Sequence, residues 1–163
     1  MSIDLVKVNN IDVHTTQGFL SGSERNLIHF IGSKDDNRPI IFSDKFGPAH
    51  PVFMLTKLMT KRLVPIVKGL LDYDGELEAR GFTTLYNFSD EDILKSSYAE
   101  GSDYLVIIPI TEEDSKIQIN MSGAKEVVEV KQSDAVFVPV TGNGEDSCIL
   151  SNNDFVVAAF STK

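Results

Sequence analysis

Three histidines and one cysteine are the side chains of this sequence best suited to metal binding or nucleophilic catalysis. His14, His29 and His50 are widely separated, and none belongs to an H-x-H, H-x-D or H-E-x-x-H pair, the spacings that bring metal ligands together. Cys148 lies in a strand-like run, SCILS, with no base beside it, which favours a small buried hydrophobe over a nucleophile. The sequence therefore predicts no catalytic residue, no metal site and no cofactor.

His50 has a second candidate role, because it precedes a predicted helix whose first amide groups are unpaired. The positive end of a helix dipole attracts anions, and Lys45 lies in the same approach to the helix. We therefore predict His50 and Lys45 as ligand-binding residues for a small anion. The alternative is that Gly47, Pro48 and Pro51 only turn the chain into the helix.

The segment TGNGED, residues 141–146, is rich in glycine and invites comparison with a phosphate-binding loop. It lacks the lysine and the strand-to-helix context that such a loop requires. No G-x-S-x-G elbow occurs in the sequence either, which removes the usual signature of a serine nucleophile. The segment is therefore interpreted as a hairpin loop.

Short β-strands are predicted over most of the chain. Residues 3–8 and 11–16 flank Asn9-Asn10, a pair suited to a tight hairpin turn. Residues 26–32 and 39–44, separated by the polar cluster SKDDNR, predict a second hairpin. From residue 103 onward the runs DYLVIIPI, KIQINMS, KEVVEVKQ, DAVFVPV, SCILS and DFVVAAFS predict an antiparallel meander that closes into a sandwich or barrel.

One long helix is predicted between residues 52 and 70. Its apolar residues recur at spacings of three and four, as on one side of an α-helix: Val52, Leu55, Leu58, Met59, Leu63, Ile66, Val67 and Leu70. Lysines fall largely on the other side, so the favoured role is a core helix with a basic solvated side. Pro65 removes a backbone donor, and we expect a kink or two helices meeting there.

A second helix is predicted over residues 90–98. Ser89, with Asp92 three residues later, resembles a capping box, and Gly101 supplies a stop. A short strand at residues 82–87 precedes it. The predicted fold class is α+β, a mainly antiparallel β-sandwich or barrel-like sheet with one or two covering helices, in a single domain spanning residues 1–163.

The segment SGAKEVVEVKQSDAVFVPVTGNG, residues 122–144, resembles the closing strands of cupin-like, double-stranded β-helix proteins. A glycine turn, a strand, a D-A-V turn and a strand ending in proline follow one another there. The metal-binding histidines of that family are absent from the matching positions. The resemblance implies a small-molecule-binding β-barrel without the usual metal ligands.

Charge is unevenly distributed along the chain. Residues 45–71 carry five Lys or Arg and no acid, whereas residues 72–114 carry twelve acids against Arg80 and Lys95. Segregated charge can orient a partner, although exposed segments are also charged for solubility alone. The predicted partner contacts form an acidic set and a basic set: Asp90, Glu91, Asp92, Glu112, Glu113 and Asp114, with Lys57, Lys61 and Arg62.

These features favour a non-catalytic protein-interaction module, such as a small inhibitor, immunity, assembly or accessory protein, with another protein as its partner. One alternative is the cupin-like small-molecule binder. A second is an enzyme whose site is assembled only by the fold and carries no recognisable motif. A homo-oligomer stays open, because a β-rich chain can offer an edge strand for pairing.

Length and composition limit the remaining classes. The chain has 163 residues, a net charge of -9 and a pI of about 4.7, and a field of this sign repels phosphate backbones, so no nucleic acid is expected. No apolar run approaches the roughly 18 residues of a spanning helix, and the first residues do not predict a secretory leader. With a single cysteine no intramolecular disulfide can form. The sequence predicts a soluble, cytoplasmic protein with no membrane partner.

Overall fold

The structure is a computed structural model, and it describes residues 3–8, 11–23, 39–40, 51–88, 92–95, 99–110, 114–151 and 153–162. Strands dominate these ranges, together with one long helix and a single 3-10 turn. The elements are β1 Ile3–Val8, β2 Ile11–Thr16, β3 Pro39–Ile40, α1 Pro51–Leu71, β4 Leu77–Phe88, the 3-10 turn Ile93–Lys95, β5 Tyr104–Pro109, β6 Ser115–Met121, β7 Ala124–Val130, β8 Ala135–Pro139, β9 Ser147–Leu150 and β10 Asn153–Thr162.

The strands form two antiparallel sheets. The large sheet has the order β1-β2-β8-β5-β10-β4-β3, and the small sheet has the order β7-β6-β9. From β4 onward the chain passes repeatedly between the two sheets. After β4, Asp92 forms a bridge with Ile149 of β9 in the small sheet, and β5 lies in the large sheet again. Later in the chain β8 lies in the large sheet, β9 in the small one and β10 in the large one. These crossovers are those of a double-sheet jelly roll.

The predicted α+β fold with a mainly antiparallel sandwich is confirmed, whereas the predicted meander is wrong. Strands that follow each other in sequence, such as β8 and β9, lie in different sheets. The alternation of apolar residues identifies a strand but not its neighbour, because pairing is decided by contacts between distant segments. The hairpin of β1 with β2 is confirmed, and Val6 pairs with Val13 near its centre.

The central strands of the large sheet are buried on both faces. One face packs against the small sheet through residues such as Leu105, Ile107 and Phe155, which meet Ile117 and Ile119. We call this the inter-sheet core. The other face packs against α1 and forms a second cluster, the helix-side core, which contains Val106, Ile108, Phe137, Phe160 and Leu63. Strand β5 is therefore buried at every position, as its continuous apolar sequence predicts.

Helix α1 is a core helix, as predicted. Leu63 and Val67, one turn apart, are fully buried in the helix-side core, while Lys61 is exposed. The prediction of two helices meeting at Pro65 is wrong, because a single helix runs from Pro51 to Leu71 with Pro65 inside it. Pro65 lies on the exposed side of the helix, so its ring does not disturb the packing against the sheet.

The second predicted helix is also wrong where the structure describes it. Asp92 forms an isolated bridge with Ile149, and only Ile93–Lys95 is helical, as one 3-10 turn. The Asp92 side chain accepts hydrogen bonds from the Leu94 amide and from the distant Cys148 amide, so it caps one short turn and joins it to β9. Strand β4 is longer than the predicted residues 82–87.

The second predicted hairpin can be placed only in part. Residues 26–32 and 41–44 of the second hairpin lie outside the described residues, and Pro39 and Ile40 pair with β4. Among the helices that the structure describes, none has the length and apolar character needed to span a bilayer.

Candidate functional site

A pocket lies at one end of the sandwich, between the 3-10 turn and the loop that joins β8 to β9. Its volume is about 420 Å³, and we call it the mouth pocket. Its apolar floor contacts the inter-sheet core and consists of Leu94, Ala99 and Val140. Its rim carries polar side chains of several kinds: Lys95, Glu100, Thr141, Asn143 and Asp146.

The β8–β9 loop forms one wall of this pocket. The loop contains TGNGED, which was predicted to be a hairpin loop, and this prediction is wrong because β8 and β9 belong to different sheets. Internal hydrogen bonds shape the loop: the Glu145 amide donates to the Asn143 side chain at 3.0 Å, and the Asp146 amide donates to the Asn143 carbonyl at 3.1 Å. Gly142 adopts a φ of 75°, which favours glycine at this position.

Asp146 organises the loop from within. Its side chain is buried, and its Oδ1 accepts a hydrogen bond from the Ser122 amide at 3.0 Å. Its Oδ2 accepts a hydrogen bond from the Thr141 hydroxyl. The carboxylate therefore joins the β6–β7 turn to the loop, and a buried carboxylate that accepts two hydrogen bonds holds its surroundings firmly.

Asp92 plays a similar part on the opposite wall. Its Oδ1 accepts hydrogen bonds from the Cys148 amide at 2.8 Å and from the Leu94 amide at 3.1 Å. These bonds fix the start of the 3-10 turn against β9. Burial, and to a lesser extent the Asp92 charge, raise the pKa of the Cys148 thiol above its ordinary range. Cys148 is thus the small buried hydrophobe that its sequence predicts, and its thiol is neutral at physiological pH.

Lys95 connects the two walls. Its ammonium donates hydrogen bonds to the carbonyl oxygens of Gly144 and, at 3.2 Å, Asp146. It also lies 3.9 Å from Asp92 Oδ2, and about half of its side chain, 52%, remains exposed. The turn and the loop are therefore held together by one cationic side chain.

Of the predicted partner contacts whose side chains the structure describes, Asp92 lies beside this pocket, and Lys61, Arg62 and Asp114 do not line it. Lys61 and Asp114 are exposed. Arg62 is half-buried, donates to the Phe19 carbonyl and stacks 4.2 Å from the centre of the Phe19 ring, which is a structural role. Several predicted site residues lie outside the described residues: Lys45, His50, Asp90, Glu91, Glu112 and Glu113. Lys57 lies in α1. The prediction that His50 and Lys45 bind a ligand stays a prediction.

His14 lies on the helix side of the large sheet, away from the mouth pocket. It pairs with Phe137, a member of the helix-side core, whereas its neighbour Val13 faces the inter-sheet core. Burial lowers its pKa, against a smaller raising effect of Asp12. His14 is therefore a half-buried structural histidine in this fold.

Sequence reasoning missed the mouth pocket because its walls are far apart in the chain. Lys95 and Asp146 are separated by 51 residues, and no local spacing can show that they meet. The one available signal was TGNGED, whose glycines and asparagine mark a shaped loop. Without the sheet assignment of β8 and β9, that signal predicts only an ordinary turn.

Comparisons with known proteins establish the fold. No protein-family model and no curated protein sequence matches the chain, but solved structures do. An oxidoreductase of the 2OG-Fe(II) oxygenase family from Burkholderia pseudomallei aligns with a TM-score of 0.69 and 10% identity, over 91% of this chain and 84% of that one. A prolyl-4-hydroxylase from Pseudomonas putida aligns with a TM-score of 0.58 and 12% identity, over 94% and 86%.

HygX from Streptomyces hygroscopicus, solved with nickel and 2-oxoglutarate bound, aligns with a TM-score of 0.60 and 11% identity, over 93% of this chain and 82% of that one. The chain therefore has the jelly-roll fold found in structures of 2OG-Fe(II) oxygenases. At these identities the likeness concerns the fold, and the chemistry must be argued from the residues of this chain.

These comparisons overturn the leading functional hypothesis. The non-catalytic protein-interaction module was inferred from segregated charge and missing motifs, whereas the matching folds belong to an oxidoreductase and hydroxylases. The prediction of another protein as the partner is wrong with it. The alternative of a cupin-like small-molecule binder lies closer to the findings. The segregated charge led to a wrong prediction of function, because exposed segments are charged for solubility as well as for binding.

The described residues do not fit the iron that the name of this oxygenase family implies. Non-haem iron of that kind is held by two histidines and one carboxylate. Within the described ranges, no group of three His, Cys, Asp or Glu side chains is placed to hold a metal ion. His14 is on the helix side of the large sheet, and His29 and His50 lie outside the described residues. The described residues alone therefore form no iron site.

Proposed function

We propose that this protein binds a small molecule in the mouth pocket of its jelly roll. The observation that supports this proposal is the pocket itself. It combines an apolar floor with a polar rim that is fixed by the buried Asp146 carboxylate. Its volume of about 420 Å³ falls within the range of roughly 300–1,000 Å³ that is usual for small-molecule sites.

The lining indicates the kind of ligand. Leu94, Ala99 and Val140 offer an apolar surface, while Lys95, Glu100 and Asn143 offer a cation, an anion and an amide. A ligand with a small apolar part and one or two polar groups matches this combination. The walls are already joined by Lys95 and Asp146, so little ordering is needed on binding and more of the interaction energy appears as affinity.

The test begins with native mass spectrometry of the protein purified gently from its own cells, followed by a thermal-shift screen of the small molecules found. A ligand at about 100 times its Kd should stabilise the protein by about 2.7 kcal/mol and raise its Tm by roughly 5–10 °C. Val140→Trp fills the floor of the pocket and should abolish that shift. Val127→Trp is the matched control, because Val127 is 50% exposed on β7 and does not line the pocket.

A screen in which Val140→Trp and Val127→Trp respond alike would contradict the assignment of the site. A protein that carries no small molecule after gentle purification, or whose Tm is moved by none of the molecules found, would contradict the proposed function.

A second candidate, an oxygenase that uses iron and 2-oxoglutarate, is favoured by the fold likeness over 91% of the chain. Its histidine ligands would have to include residues beyond the described ranges, because His14 faces the helix-side core. The discriminating assay supplies Fe(II), 2-oxoglutarate and oxygen and measures succinate. Succinate formation that depends on the protein and is lost in His50→Ala would replace our proposal.

A further inference from the structure

We infer that the resident cation of the mouth pocket is the ammonium of Lys95, and that this end of the domain is built to work without a metal ion. The inference concerns how the pocket walls are held together, and it does not depend on which ligand the pocket takes.

The surroundings of the Lys95 ammonium resemble the oxygen cage of a bound cation. Its acceptors are the carbonyl oxygens of Gly144 and Asp146, with the Asp92 carboxylate 3.9 Å away. Carbonyl and carboxylate oxygens are the ligands that hard metal ions take in proteins. An ammonium carries three N–H donors and no acceptor, so it can satisfy several of these oxygens at once.

The carboxylates beside this cation are already engaged by backbone and hydroxyl donors. Asp92 Oδ1 accepts from two amides, those of Leu94 and Cys148. Asp146 uses Oδ1 for the Ser122 amide and Oδ2 for the Thr141 hydroxyl. A metal ion would therefore compete with the Lys95 ammonium for Asp92 Oδ2, and with amide or hydroxyl donors for the other three carboxylate oxygens.

The nearby thiol does not supply an alternative ligand. Metal binding requires the thiolate form of cysteine, whereas Cys148 is fully buried in the inter-sheet core. Its amide, rather than its sulfur, is the group that meets Asp92. The cation that neutralises this wall is therefore supplied by the chain itself.

The first test measures metal binding by equilibrium dialysis with Mn(II), Ni(II) and, without oxygen, Fe(II), together with the Tm of each mixture. We expect no saturable binding at the mouth pocket. If an ion binds elsewhere on the protein, Asp92→Asn should not change the amount bound. Saturable binding of one ion per chain that raises the Tm and is abolished by Asp92→Asn would overturn the inference.

The second test measures the contribution of Lys95 to stability. Lys95→Met should lower the Tm by about 2–4 °C, the shift expected when a domain of this size loses about 1 kcal/mol. Lys116→Met is the matched control, since Lys116 also lies 3.9 Å from a carboxylate, that of Glu129, and is 68% exposed. The Tm of Lys116→Met should differ from that of the wild type by no more than about 1–2 °C, because exposed ion pairs contribute little to stability.

Equal Tm losses in the two variants would show that Lys95 is an ordinary surface lysine and would overturn the inference. Neither test involves a small-molecule ligand. A failed ligand screen would therefore count against the proposed function while leaving these two results to decide the role of Lys95.

Discussion

The two faces of the large sheet differ in how their polar groups are hydrogen-bonded. On the inter-sheet side, Asp92, Lys95 and Asp146 bond to one another's segments at the mouth pocket. On the helix side, Thr16 Oγ1 and His14 Nδ1 on β2 are buried without a hydrogen-bond partner. Buried polar groups are stabilising only where they are satisfied. The polar groups at the mouth pocket therefore form a hydrogen-bonded network, whereas these two atoms of β2 are isolated within an apolar packed face.

The helix side is accordingly a structural face. α1 contributes Leu63 and Val67 to the core, and its neighbouring cation Arg62 stacks on Phe19 instead of reaching into solvent. The exposed Lys61 lies on the solvated side of this helix, as the sequence predicted, and the role of Lys57, Lys61 and Arg62 as partner contacts stays a prediction.

The largest expected effect tests that assignment of α1. Leu63→Ala removes a side chain with 0% exposure from the helix-side core and should lower the free energy of unfolding by about 2–5 kcal/mol, because a cavity remains. Urea unfolding followed by circular dichroism measures this change.

Leu70→Ala makes the same deletion at a half-buried position of the same helix and should cost clearly less. Lys61→Ala, on the exposed side, should stay within about 0.5 kcal/mol of the wild type. If Leu63→Ala were as mild as Lys61→Ala, α1 would not be a core helix and the contrast between the two faces would fail.

The mouth pocket provides the next largest effect. Asp146→Ala leaves the Ser122 amide and the Thr141 hydroxyl without their acceptor and should lower the free energy of unfolding by about 1–3 kcal/mol. Ligand-induced stabilisation should be lost as well, because the β8–β9 loop loses its anchor. Thermal unfolding with and without ligand measures both quantities.

Asp114→Ala is the control, since Asp114 is exposed, and it should change neither quantity. A variant at Asp146 that keeps both its stability and its ligand response would remove this residue from the organisation of the pocket.

The sequence predicted the strands better than their arrangement. In β6 the alternation of Ile117, Ile119 and Met121 with polar residues matches the observed burial, because one face of that strand is wet. The order of strands could not be predicted in the same way. Pairing of β10 with both β4 and β5 depends on contacts across dozens of residues, and local periodicity does not encode them.

The site was harder still to predict than the fold. The sequence predicts that Asp92 belongs to the cap of a helix over residues 90–98, but its carboxylate caps only one 3-10 turn and also accepts from the Cys148 amide, 56 residues away. Lys95 was counted as an isolated cation in an acidic stretch, and its partners became visible only when the β8–β9 loop was placed beside the 3-10 turn. Residues that act through tertiary contacts carry no local signature of the kind that a metal motif has.

The smallest expected effect concerns the unpaired histidine of the helix side. Burial lowers the pKa of His14 from its usual 6.5 in the folded protein, so the unfolded chain binds more protons once the pH falls below that value. The contribution of His14 to stability is therefore complete above pH 6.5 and is lost as the pH falls toward its folded-state pKa.

The urea midpoint measured between about pH 8 and pH 5 should decline more steeply in the wild type than in His14→Gln, and the difference between the two curves isolates His14 from the other two histidines. Because His14 is only half-buried, this difference should be smaller than the loss in Leu63→Ala. Parallel curves would show that His14 is as well solvated as a surface residue. The helix side would then be wet near β2, and the contrast with the hydrogen-bonded mouth pocket would weaken at that point.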